Sequence, residues 1–137
     1  MSATGVKDLS DMRVLLVEDQ ADSRAMIKNM LCEFGITQVF ESADGHQAMQ
    51  FMDTAFEFID IVICDWNMPG MSGVELLRQL RSVDPRFPFL MITGRSDIDS
   101  VVEAKSSGVT GYIAKPFSAT QLEAKLRVIA AKSAIRA

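Results

Sequence analysis

The chain is poor in several things, and each shortage removes a class of function. It has one Trp, one Tyr, one His and two Cys in 137 residues. Nowhere do about 18 apolar residues run together, so no membrane-spanning helix is expected. Cys32 and Cys64 form no CxxC pair and stand in apolar surroundings, which favours two buried free thiols over a disulfide or a metal site. With 14 Lys and Arg against 18 Asp and Glu the net charge is −4, and no cationic cluster marks a nucleic-acid surface. The lone His46, near the start of a helix, reads as a surface residue. There is no repeat and no low-complexity tract. The first dozen residues, Met1–Met12, are small, polar and mixed in charge, unlike a signal peptide. The expected setting is cytoplasmic, away from membranes and nucleic acid.

What is there fits one globular domain. Hydrophobic residues make up 48% of the chain and charged residues 23%, and a chain of this length should bury roughly 65–70% of its unfolded surface. Residues 1–11 carry no periodicity and read as a frayed or loosely docked N-terminal extension. The domain is expected over residues 12–131, with 132–137 as a tail. Val14–Val17, Ile61–Cys64 and Phe89–Ile92 are short continuous apolar runs, the pattern of strands buried on both faces. Thr37–Glu41 is a more polar strand suited to a sheet edge, and Gly111–Ala114 is a short fifth. Helical spacing places a helix after each strand. The first carries Met26, Ile27, Met30, Leu31 and Phe34 and stops at Gly35; the second carries Ala48, Met49, Met52 and Phe56. The third spans Gly73–Ser82, and the fourth spans Asp97–Ser107 with Ile98, Val101 and Val102 inward before Gly108. The fifth is capped by Ser118 and carries Leu122, Leu126 and Ile129. Strict alternation of strand and helix implies a doubly wound α/β fold with a parallel sheet. Periodicity does not give the strand order.

The polar residues collect where the strands end. Glu18 and Asp19 follow the first strand, Asp65 ends the third, Thr93 ends the fourth and Lys115 follows the fifth. In open parallel sheets that edge is where ligands bind. Three carboxylates converging there repel unless a cation sits among them, and an all-oxygen set suits Mg2+. Asp19 and Asp65 suit direct ligation, Glu18 reaches through water, and the Asn67 carbonyl is a further oxygen. Lys115 suits an anionic ligand and Thr93 adds a hydroxyl donor. Metal, ammonium, hydroxyl and carboxylate nucleophile make a set for phosphoryl transfer onto Asp65. Taken singly, each has a plainer reading. Glu18–Asp19 also fits a strand end and helix cap, Thr93 a turn residue, Lys115 a solvated lysine and Tyr112 a half-buried strand aromatic. A flavin or nucleotide carrier would want a Gly/Ser/Thr-rich cradle after the first strand, where Glu18-Asp19-Gln20-Ala21-Asp22 stands instead. An aspartyl-phosphate hydrolase would want two Asp, two residues apart, after the first strand, and that pattern is missing too.

The acidic pair, Asp65, Thr93 and Lys115-Pro116, with the stretch Asp65-Trp66-Asn67-Met68-Pro69-Gly70-Met71-Ser72-Gly73, resemble the receiver domain of two-component response regulators. The single-domain chemotaxis regulators are especially similar. The resemblance spans about residues 12–131 and implies a flavodoxin-like five-stranded sheet of order 2-1-3-4-5. It implies that Asp65 accepts a phosphoryl group from a phosphohistidine on a sensor kinase or phosphotransfer protein, with Mg2+ on Asp19, Asp65 and the Asn67 carbonyl. Lys115 would contact the phosphoryl group, Thr93 would swing toward it and Tyr112 would turn inward. The bond before Pro116 would be cis. A target protein would read the fourth helix, fifth strand and fifth helix. The protein would turn over no external substrate, and a monomer is expected. A relay intermediate, a phosphate sink or a fragment of a larger regulator are the alternatives. Gly94 and Arg95 depart from the family pattern and are expected to modulate the site, Arg95 through the lifetime of the acyl phosphate.

Overall fold

The computed structural model describes residues 8–94 and 98–133. Arg95, the expected start of the fourth helix at Asp97, the extension through residue 7 and the tail beyond 133 lie outside the described residues, as does the side chain of Ile98. Strands and helices alternate as β1 (Arg13–Val17), α1 (Ala21–Glu33), β2 (Gln38–Ser42), α2 (Gly45–Ala55), β3 (Ile61–Asp65), α3 (Gly73–Val83), β4 (Phe89–Thr93), α4 (Ile98–Ser106), β5 (Gly111–Ala114) and α5 (Ala119–Ser133). The strands form one parallel sheet of order β2-β1-β3-β4-β5. β3 and β4, flanked on both sides, are buried at every residue, whereas β2 and β5 at the edges are only partly covered. This matches the continuous apolar runs expected of central strands and the polar character of β2.

Alternation along each strand divides the core in two. Val14, Leu16, Ile61, Ile63, Leu90, Ile92 and Ile113 pack with Ile27 and Leu31 of α1 and with Leu122, Leu126 and Ile129 of α5. Leu15, Val17, Val62, Cys64, Phe89 and Met91 face Met52 of α2, Leu76, Leu77 and Leu80 of α3, and Ala104 of α4. Two helices thus cover one face and three the other, as right-handed crossovers require when the chain reverses direction across the sheet. The helix starts are locally encoded. Asp44 accepts from the Gln47 N–H at 2.8 Å, Ser72 and Glu75 form a reciprocal capping box, and Ser118 accepts from the Gln121 N–H at 3.1 Å. Gly108, at φ +87°, ends α4 in the left-handed region that only glycine adopts freely.

Some expectations are corrected. Residues 9–11, expected within a frayed or loosely docked extension, form a 3-10 turn, and Leu9 and Met12 are each 3% exposed against the α1–α5 core. Side chains three apart eclipse in that geometry, so both fall on the core. Cys32 is exposed, because it lies a third of a turn round α1 from the buried Leu31, while Cys64 on β3 is buried as expected. Met26 faces solvent beside buried Ile27 for the same reason. On α4, Val102 is 61% exposed and Ala104 is the buried contact. No helix among the described residues is long and apolar enough to cross a membrane.

Candidate functional site

The parallel register aligns the strand ends. Val17 pairs with Cys64, Asp65 with Ile92 and Thr93 with Ala114, so Glu18, Asp65, Thr93 and Lys115 emerge within one residue of a common edge. Backbone bonds extend the ladder just past the strands: Glu18 N–H to the Ser42 carbonyl, Trp66 N–H to Ile92 and Lys115 N–H to Thr93. Glu18 and Thr93 are fully buried, Asp65 is 8% exposed and Asp19 is half-buried.

One carboxylate oxygen from each of Glu18, Asp19 and Asp65 falls within 4.8 Å of the others. The Lys115 ammonium lies between two of them, 3.0 Å from Asp65 Oδ2 and 3.2 Å from Glu18 Oε1. The Asn67 N–H donates to Asp65 Oδ1 at 3.0 Å, and the Gln20 N–H to Glu18 Oε2 at 3.2 Å. Burial pushes the Glu18 carboxyl up to about 7 with help from the Asp65 charge, while the Gln20 hydrogen bond and Lys115 pull it down. Burial opposes the charge on Lys115, but its hydrogen bond to Asp65 and the two carboxylates outweigh this and hold its pKa above the ordinary lysine value. Burial, then the charges of Asp65 and Glu18, push the Cys64 thiol well up, so it stays protonated and unreactive beside the site.

The sequence reading assigned Lys115 to an incoming anion. In the structure it is also the counter-cation that allows Glu18 and Asp65 to share a buried corner. The donor set is all oxygen, which fits a hard divalent cation. The Thr93 hydroxyl is buried without a hydrogen-bond partner, an arrangement that costs stability unless an acceptor arrives. An acceptor bound at this edge would meet that need. Asn67 and Pro116 are exposed, Gly94 is half-buried directly after Thr93, and the Lys115–Pro116 bond is cis. Tyr112 is half-buried on β5, on the same sheet face as Met91 and Thr93, and packs against the core on that face. His46 is exposed, as expected.

Two contributors went unread in the sequence. Arg24 donates to the Glu18 carbonyl at 2.7 Å and pairs with Glu41 on β2 at 3.3 Å, bracing the turn that carries the acidic pair. Gly73 lets α3 start against the end of β3, because a Cβ there would stand 2.7 Å from the Asp65 carbonyl oxygen. No local pattern announces the first. The second had a signal, since Ser72-x-x-Glu75 is a capping box that fixes where α3 begins.

With this geometry in place, comparison with known proteins gives a consistent picture. A family described as "Response regulator receiver domain" matches residues 14–127. Among curated proteins, "Chemotaxis protein CheY" of Pseudomonas aeruginosa is 38% identical over 120 residues, covering 86% of this chain and 95% of that protein. "Chemotaxis protein CheY-3" of Vibrio cholerae is 39% identical over 118 residues, covering 85% of this chain and 89% of its own. Among solved structures, a receiver domain protein from Clostridium thermocellum shares the fold with a TM-score of 0.85 at 24% identity, over 92% of this chain and 99% of that one. CheY4 of Vibrio cholerae gives 0.77 at 32% identity, over 86% and 98%.

Proposed function

We propose, for a chain that belongs to the response regulator receiver family, that Asp65 accepts a phosphoryl group and that the event is read on the surface of α4, β5 and α5. The donor is a phosphohistidine on a sensor histidine kinase or a phosphotransfer protein, and the reader is a target protein. The protein works in the cytoplasm as a monomer and turns over no external substrate. The observation that supports this reading best is the Lys115 ammonium held between Asp65 and Glu18, with Asp19 beside them, at the edge where Thr93 keeps an unsatisfied hydroxyl.

In the transfer, an Asp65 carboxylate oxygen attacks phosphorus as the bond to the histidine nitrogen breaks. The nitrogen keeps the electron pair and an acyl phosphate forms. The Asn67 N–H steadies one carboxylate oxygen and Lys115 the other, so the nucleophile is oriented before the donor docks. Glu18, Asp19, Asp65 and the Asn67 carbonyl would hold Mg2+, which supplies charge neutralisation for the phosphoryl oxygens when bound. Lys115 then exchanges Asp65 Oδ2 for a phosphoryl oxygen, and Thr93 donates its hydroxyl to another. Tyr112, on the same face as Thr93, turns into the space that Thr93 leaves, which converts a local charge change into a surface change.

The test is incubation with a small phosphoramidate and Mg2+, followed by borohydride trapping and peptide mapping. A single modified site at Asp65, lost in Asp65→Asn and on chelation of the metal, is the expected result. Labelling elsewhere, or undiminished labelling of the Asn variant, contradicts the assignment.

A further inference from the structure

The Tyr112 ring on β5 lies between α4 and α5 and is touched by a cation from each. Lys105 Nζ of α4 is 5.3 Å from the ring centroid, and Lys125 Nζ of α5 is 5.5 Å from it. Both distances are within the range at which an ammonium is attracted to an aromatic face. The glutamates nearest in sequence are engaged elsewhere: Glu103 by Arg78 at 3.6 Å and Glu123 by Arg127 at 2.7 Å. Among the described residues, the face of this one ring is a partner of both lysines. Both lysines are exposed, so neither is a core-packing residue whose loss would threaten the fold.

We propose that Lys105 and Lys125 clamp Tyr112 in its resting position and so set how readily the phosphorylation switch operates. The proposal rests on the reading of Tyr112 as the residue that turns inward when Asp65 is phosphorylated. If the ring leaves the two ammonium groups on turning, their attraction stabilises the resting state alone. By linkage, whatever favours the resting state weakens binding of the phosphoryl group or its mimic by the same factor. An exposed cation–π contact corresponds to about a two- to fivefold bias per lysine. The sign sets this apart from general electrostatics. Deleting a positive charge near an anion-binding site weakens anion binding, whereas deleting a clamp tightens it.

The experiment uses the full chain with beryllofluoride and Mg2+. Affinity is read by the fluorescence of the single Trp66, adjacent to Asp65, and ring position by the NMR resonances of the single Tyr112. Lys105→Met and Lys125→Met should each bind the mimic about two- to fivefold more tightly, with the unliganded Tyr112 signals displaced toward their mimic-bound positions. Lys105→Arg and Lys125→Arg, which keep the cation, should behave like the unsubstituted protein. Equal or weaker binding by the Met variants overturns the clamp, as does tightening in the Arg variants to the same degree. If the mimic binds the unsubstituted protein but leaves its Tyr112 signals in place, the switch reading of Tyr112 falls, and the clamp falls with it.

Discussion

Burial, with help from the Asp65 charge, pushes the Glu18 carboxyl up to about 7, so its titration falls near neutral pH and couples the metal-free site to pH. Between the ordinary value of 4.5 and about 7 the folded protein holds the Glu18 proton and the unfolded chain does not. The contribution of Glu18 to metal-free stability is therefore fully present below 4.5 and is lost as pH rises to about 7. Metal binding runs the other way, because the ligand set must be deprotonated. Mg2+ affinity, titrated by Trp66 fluorescence, should rise about tenfold from about pH 6 to about pH 8 and flatten above. Glu18→Gln should remove most of that dependence. A pH profile of the same shape in the Gln variant would show that another group controls it.

At the scale of elements, the approach of α3 to the end of β3 places Asp65. A Cβ on Gly73 would stand 2.7 Å from the Asp65 carbonyl oxygen and 3.0 Å from the Trp66 Cα, both backbone atoms that cannot swing aside. Gly73→Ala should therefore destabilise the fold by about 2 kcal/mol, although alanine is the better helix former by about 1 kcal/mol. Phosphorylation should slow as Asp65 is displaced. Urea unfolding and the rate of labelling by a phosphoramidate check the two effects, and a variant as stable as the parent would show that the helix start can yield. The Ser72-x-x-Glu75 capping box marks where α3 begins but not how closely it approaches β3, so Gly73 read as an ordinary helix beginning. The elements themselves were legible because buried strands leave continuous apolar runs and helices leave periodic ones. β2 moved by one residue, from Thr37–Glu41 to Gln38–Ser42. Helix faces were less legible where two apolar residues stand together. In Met26-Ile27, Leu31-Cys32 and Val101-Val102 a narrow buried stripe admits one of each pair more fully than the other, and periodicity does not say which. The turn at Leu9–Asp11 is too short to show any period.

For the molecule as a whole, strand order turns scattered residues into a site. β1 and β3 are neighbours at the centre, so Glu18 and Asp65 meet across a sequence separation of nearly fifty residues, and β4 and β5 bring Thr93 and Lys115 to the same edge. The sequence exposed these residues as a row of strand ends, and the resemblance to receivers supplied the order that the structure bears out. The pairing of Lys115 with Glu18 as well as Asp65 was not legible, since it depends on side-chain reach and burial. The central claim is that chemistry at Asp65 changes a surface on the far side of β4. The direct measurement is the amide NMR spectrum with and without beryllofluoride at saturating Mg2+. The account predicts shifts at Glu18–Asp19 and Asp65–Asn67 that continue through Thr93 into α4, β5 with Tyr112, and α5, and that vanish in Asp65→Asn. Shifts confined to the acidic strand ends, with α4, β5 and α5 unmoved, would contradict it.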